Sequence, residues 1–177
     1  KTFIFPGQGS QSVGMAADLY DSLEKAKARY ESASDILGFN LAEVSFKGPA
    51  DKLSATQYTQ PAIFIHSIIL DEYLKVNGTH PIAVAGHSLG EFSALVSADV
   101  LPFEDALQII KVRSHAMAQS GFIKPGSMAA IIGADSTQLK IICEQDGVVV
   151  PANINAPAQV VISGETQAIK SAIKVAK

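Results

Sequence analysis

The stretch "AVAGHSLGEFSALVSADV", residues 83–100, sets Ser88 between Gly86 and Gly90, after a short apolar run and before an amphipathic one. "PIAVAG", residues 81–86, reads as a compact strand, and "GEFSALVSADV", residues 90–100, as a helix whose small residues permit close packing. Glycines two before and two after a serine suit a tight turn crowded by neighbouring elements. Such a turn lifts the serine oxygen above the sheet edge and brings backbone N–H groups at the helix start to where an oxyanion would form. A helix-capping serine needs only the same local geometry, so the bare pattern leaves nucleophile and cap both open. The strand before and the helix after favour the nucleophile.

"TFIF" at residues 2–5 reads as a buried strand stopped by Pro6 and the polar loop "PGQGSQ". "DSLEKAKARYESASDIL", residues 21–37, has apolar residues recurring at three and four, with Gly38 as a stop. A buried helix fits residues 60–78, with Pro61 in its first turn and Asn77-Gly78 closing it. Residues 102–119 read as the next helix, with Glu104 and Asp105 at the positive end of its dipole. The pattern then changes. "SMAAIIG", "DSTQLKIICEQ", "GVVVPANIN", "QVVISG" and "ETQAIKSAIKVA" alternate as strand, helix, strand, strand, helix, the start of a ferredoxin-like unit without its last strand. The expected fold is α/β: a hydrolase-like parallel-sheet domain with a nucleophile elbow over residues 1–124, and an incomplete ferredoxin-like α+β subdomain over 125–177, with the boundary near Pro125.

The 177 residues are 47% hydrophobic and 18% charged, enough to bury a core. Fourteen basic against seventeen acidic residues give a net charge of −3, which calls for no nucleic acid or anionic membrane as main partner. The single cysteine, Cys143, excludes an internal disulfide and fits a reducing compartment; in "LKIICEQ" it reads as core filler. No apolar run reaches the length of a bilayer span. No clustered His or Cys ligands suggest a metal, and "GQGSQ" lacks the lysine of a phosphate-binding loop, so no cofactor is expected.

A serine hydroxyl needs a base to take its proton. Of the four histidines, His87 adjoins the serine on a tight turn, where neighbouring side chains diverge, and reads as packed beside the elbow. His66 lies on the apolar helix and reads as a core histidine, His80 as an exposed loop residue. His115 sits two residues from Arg113 and therefore on another helical face.

"FPGQGSQSVGM" at residues 5–15, "TQPAIF" at 59–64, "GHSLGEFSAL" at 86–95, the arginine of "KVRSHAM" at 111–117 and "NINAPAQVVISG" at 153–164 together resemble the malonyl-CoA:acyl carrier protein transacylases, in the same order. The likeness runs along nearly the whole chain. It implies that Ser88 attacks the malonyl thioester to give a malonyl-serine ester, which the phosphopantetheine thiol of acyl carrier protein then attacks, in a ping-pong reaction supplying fatty acid biosynthesis. It implies an oxyanion hole from the backbone N–H groups of Gln8 and Leu89, where the loop by itself reads as a simple connector. It implies that Arg113 binds the free malonyl carboxylate, a task suited to a planar guanidinium; a mid-helix arginine otherwise reads as a solvated surface residue. Gln60, Asn155 and His87 would be pocket walls, although Gln60 also fits a helix start and Asn155 a turn. Glu91 reads as a first-turn acid.

The resemblance places the catalytic histidine in a segment beyond residue 177, so the expectation is a C-terminally truncated piece of a longer enzyme whose base lies outside this sequence. Coenzyme A enters as substrate carrier only. The expected partners are malonyl-CoA and acyl carrier protein, the expected state a monomer, and the expected place the cytoplasm, or an organelle if a transit peptide was trimmed. Two other readings compete. A serine esterase or thioesterase of the α/β-hydrolase type would transfer to water and have no need of Arg113; an inactive carrier-protein-binding module would leave Ser88 unacylated and use basic residues such as Lys111 and Lys124 as a docking patch.

Overall fold

Thr2–Phe5 forms strand β1 in the computed structural model, which describes residues 1–177. The chain then runs through helices α1 (Ala17–Ser22), α2 (Glu24–Leu37), α3 (Leu41–Lys47), α4 (Ala50–Ser54) and α5 (Thr56–Val76) before strand β2 (Ala83–Gly86). β1 and β2 pair in parallel, from Thr2 opposite Ala83 to Phe5 opposite Gly86. Helices α6 (Gly90–Ser97) and α7 (Phe103–Ile123) follow. Two compact units result, Lys1–Ala118 and Gln119–Lys177, and their division falls inside α7. The helix runs on past the expected Gln119, because "SGFI" adds no residue that must stop it before Pro125.

The helix expected over residues 21–37 is broken in two. Leu23 is extended, at φ −125° and ψ 116°, and turns its side chain into the core while α2 starts afresh at Glu24. The three-and-four spacing continues across this break and does not reveal it. α2 ends at Gly38, whose φ of 84° and N–H bond to Ser34 O make a left-handed cap. α5 also departs from expectation. It begins at Thr56, so Pro61 lies beyond its first turn and removes the N–H that would reach Gln57. Pro61 and its neighbours are nevertheless buried, with Ala62, Ile63, Phe64 and Ile65 in the main core. That core also takes Tyr30, Leu41, Leu53, Leu107 and Ile110 from the surrounding helices.

α6 packs on α5 through small residues, Gly90, Ser93, Ala94 and Ser97 all being buried. A charged clamp holds the far end of this contact. Asp71, only 4% exposed, accepts the Ser97 hydroxyl at 2.6 Å and pairs with Lys75 at 2.8 Å. Lys75 Nζ also donates to Ser97 O at 2.7 Å, at the negative end of α6. α7 is tied in by Lys111, which donates to Ile36 O near the end of α2 at 2.7 Å, and by Phe103, which stacks on Phe64 and lies under the Arg29 guanidinium. Arg29 bonds Glu72 in turn. Lys111 is therefore a structural tether, not part of an exposed docking patch, and Lys124 pairs with Glu165 at 3.6 Å.

In the second unit the order is β3 (Gly126–Ile132), α8 (Ser136–Cys143), β4 (Val149–Ala156), β5 (Gln159–Glu165) and α9 (Thr166–Val175). The sheet order is β3-β5-β4, with both pairings antiparallel. Ile131, Ile142, Val149, Ile162 and Ile169 form its core between sheet and helices. A capping box at Asp135 and Gln138 starts α8. Cys143 ends that helix, packed against this core, and burial pushes its thiol pKa up. No helix is long and apolar enough to cross a membrane.

His66 is half-buried, not a core residue; it lines a cleft of about 350 Å³ with Phe3, Ser10 and Leu70. Desolvation lowers its pKa below the ordinary 6.5, with the Asp18 charge opposing in part. The unfolded chain therefore binds more protons than the native one in mild acid, and the stability present above pH 6.5 is lost as the pH falls through that value toward the folded pKa. Urea denaturation of wild type and His66→Gln between about pH 7 and about pH 5 is expected to show a shallower loss of stability in the variant. Parallel losses would place the titrating group elsewhere.

Candidate active site

Ser88 stands in the turn between β2 and α6 with φ at 53°, in the left-handed region that a serine seldom occupies. The neighbouring glycines explain how the chain can turn there. A Cβ on Gly86 would fall on the backbone of Gly90 and Glu91, and one on Gly90 would fall on the backbone of Phe5 and Pro6. Three stretches of main chain thus meet closer than any side chain permits. His87 N donates to Phe5 O at 3.1 Å and locks the turn to the end of β1. The Ser88 side chain is left exposed, while Leu89 beside it is buried and begins the helix. The Leu89 N–H lies among helix-start amides that have no intrahelical acceptor.

The loop after β1 is packed onto this turn. A Cβ on Gly7 would lie 2.7 Å from His87 O and 2.9 Å from His87 Nδ1, so only glycine lets the loop come so near. Ser10 Oγ caps the loop by donating to Gly7 O at 2.9 Å, and the Gln8 side chain reaches Thr56 Oγ1 at 3.3 Å. With its side chain directed to Thr56, Gln8 has its main chain in the loop that abuts the Ser88 turn. The connector reading of "PGQGSQ" understates a segment held in place by three separate contacts.

Arg113 comes from α7 and is not a solvated surface residue. It is half-buried, donates from Nη2 to Ser88 Oγ at 3.0 Å and from Nη1 to Gln60 Oε1 at 2.5 Å, and its Cζ lies 5.8 Å from the centre of the Phe92 ring. Gln60 is fully buried within α5, not at a helix start, and its Nε2 donates to Met117 Sδ at 3.3 Å. Sequence reasoning missed this partnership. The available signal was an amide in the middle of the buried "TQPAIFI" face, where a polar side chain needs a partner.

His87 is exposed with its ring against Gly7, His80 and His115 are exposed, and Glu91 is an exposed first-turn acid of α6. Asn155 belongs to the second unit and lies in β4, with Nδ2 3.4 Å from Gln159 Oε1; the turn expected there begins only at residue 157. Asn155 falls at a register shift of the β4–β5 pairing, between Ile154 opposite Val160 and Ala156 opposite Gln159. No three His, Cys, Asp or Glu side chains are grouped to hold a metal ion. The first unit therefore assembles an exposed hydroxyl, a guanidinium bonded to it, and helix-start amides beside it. That combination suits transfer of an acyl group carrying a negative charge.

The acyl transferase domain family matches residues 2–177. The chain is 44% identical over 178 aligned residues to a malonyl CoA-acyl carrier protein transacylase of Staphylococcus aureus (strain MRSA252), covering 98% of this chain and 57% of that protein. It is 40% identical to a protein of the same name from Bacillus subtilis (strain 168), covering 99% and 56%. Among solved structures, the malonyl CoA-acyl carrier protein transacylase of Coxiella burnetii superposes with a TM-score of 0.92 at 37% identity, over 99% of this chain and 57% of that one. A malonyl-transacylase in complex with a type II PKS acyl-carrier protein gives 0.89 at 37%, over 99% and 58%. The chain thus spans somewhat more than half the length of the relatives it matches.

Ser88→Ala and Ser88→Gly both delete the hydroxyl and its bond to Arg113, so their difference reads the cost of the positive φ. The glycine variant is expected to be the more stable by about 1 kcal/mol in chemical denaturation. Equal stabilities would mean that the turn relaxes once the hydroxyl is gone.

Proposed function

The chain belongs to the acyl transferase domain family, and from that premise we propose that it carries a malonyl group from coenzyme A to the phosphopantetheine thiol of acyl carrier protein, through an ester on Ser88. The observation that carries this reading is the 3.0 Å bond between Arg113 and Ser88. It puts a carboxylate-binding group beside a nucleophile, at the short range that a three-carbon diacid monothioester spans. The names of the relatives support the same substrate and acceptor.

In the first half-reaction Ser88 Oγ attacks the thioester carbonyl as a general base takes its proton. The carbonyl oxygen becomes an oxyanion between the N–H groups of Leu89 and Gln8, which we assign as the oxyanion hole on the strength of the packed loop and the helix start. Collapse expels the coenzyme A thiolate, which is reprotonated, and leaves malonyl-serine. In the second half the carrier thiol loses its proton, attacks the ester carbonyl, and Ser88 leaves with a proton restored. Arg113 holds the malonyl carboxylate in both halves through charge-assisted bonds. The strained turn at Ser88 is read as a nucleophile elbow and the second unit as ferredoxin-like, in keeping with its 1-3-2 strand order. We place the reaction in the cytoplasm, in a monomer that uses coenzyme A only as a substrate carrier.

A hydrolase would release malonate to water and would discriminate little between malonyl and acetyl. Arg113→Ala is therefore expected to lower kcat/KM for malonyl transfer by roughly a hundredfold, the range of one or two charge-assisted bonds, and acetyl transfer far less. Thiol-acceptor assays on the intact natural polypeptide check this. Equal losses for both acyl groups, or water as the main acceptor, would overturn the proposal.

A further inference from the structure

Arg113 takes part in none of the molecule's ion pairs. Its one fully buried partner is an amide, Gln60, whose carbonyl accepts from Nη1 at 2.5 Å. Arginine has donors only, so the amide oxygen must face it and the amide nitrogen must face away. That nitrogen finds Met117 Sδ at 3.3 Å, a soft acceptor that asks for no charge. Both ends of Gln60 are thereby used, and its orientation is determined. A glutamate in its place would satisfy Arg113 better in isolation, but it would leave Met117 without a donor and would cancel the guanidinium charge before any substrate arrived. A shorter or apolar residue would leave Nη1 unheld and the guanidinium free to turn away from Ser88.

We infer that Gln60 is a positioning and specificity-determining residue, not a pocket wall: it orients Arg113 toward Ser88 while leaving its positive charge uncompensated, so that acyl groups bearing a carboxylate are selected. This rests on the assignment of Arg113 as the carboxylate-binding group. Gln60 acts through Arg113 and need not touch the substrate. Gln60 is buried in α5 and holds Nη1, while Nη2 meets the exposed Ser88, and this separates the two tasks.

The test compares malonyl-CoA with acetyl-CoA as donors to Ser88 in the intact natural polypeptide, for wild type, Gln60→Glu, Gln60→Met and Arg113→Ala. Gln60→Glu is expected to lower the malonyl-to-acetyl ratio of kcat/KM at least about tenfold, because the new carboxylate competes with the substrate's. Gln60→Met, close in volume and with only a weak thioether acceptor in place of the amide oxygen, is expected to lower the ratio through a higher KM for malonyl-CoA. A merely structural role would depress both donors together and leave the ratio where it is. If Gln60→Glu fails to fold, the methionine variant decides the matter. An unchanged ratio in the folded Gln60 variants, with a collapsed ratio in Arg113→Ala, would overturn this inference alone. An unchanged ratio in Arg113→Ala would overturn the assignment on which it rests.

Discussion

Everything in the first unit depends on how closely main chain approaches main chain around Ser88. Gly86 and Gly90 admit backbone where a methyl group would collide, and Gly7 does the same for the loop after β1. This contact brings the end of one strand, the start of another helix and a loop to one point, and it lets Ser88 adopt a φ of 53°. A residue held in that region costs energy that its surroundings must offset. Here the surroundings are the parallel β1–β2 pairing, the His87 bond to Phe5, and the small-residue contact of α6 with α5. The charged clamp of Asp71 and Lys75 holds Ser97 at the other end of α6, so the helix can neither slide nor turn without losing the Ser97 bonds to both.

The second requirement is that α7 present Arg113 to that point. Lys111 and Arg29 tie α7 to α2 and α5 through bonds that lie away from the site, and Gln60 fixes the guanidinium itself. Fold and chemistry meet in α5, which supplies core, clamp and amide from one helix. The backbone bond that Pro61 cannot make, next to Gln60, is tolerated within a segment packed in the core.

The turn at Ser88 was legible because its spacing is dictated by sterics within a few residues, and sterics of that range are written locally. The alternation of strand and helix after residue 125 was legible for the same reason. The break at Leu23 was not, since both sides of it keep the helical period and only the core decides that Leu23 should turn inward. The start of α5 was set too late because Pro61 suggests a first turn, while the helix is in fact begun by the segment before it. Most telling are Arg113 and Lys111. Each reads as a solvated residue by type and position, and each owes its role to a partner some fifty or more residues away, Gln60 in one case and Ile36 in the other. Family resemblance pointed to Arg113, but no local pattern in the chain pointed to the amide that holds it.

Ser88 is the proposed carrier of the acyl group. The most direct measurement is intact mass and peptide mapping of the natural polypeptide after brief exposure to malonyl-CoA, with acetyl-CoA in parallel. A malonyl adduct is expected on the peptide containing Ser88, with little acetyl there. An adduct that persists in Ser88→Ala, or maps to another residue, would contradict that role.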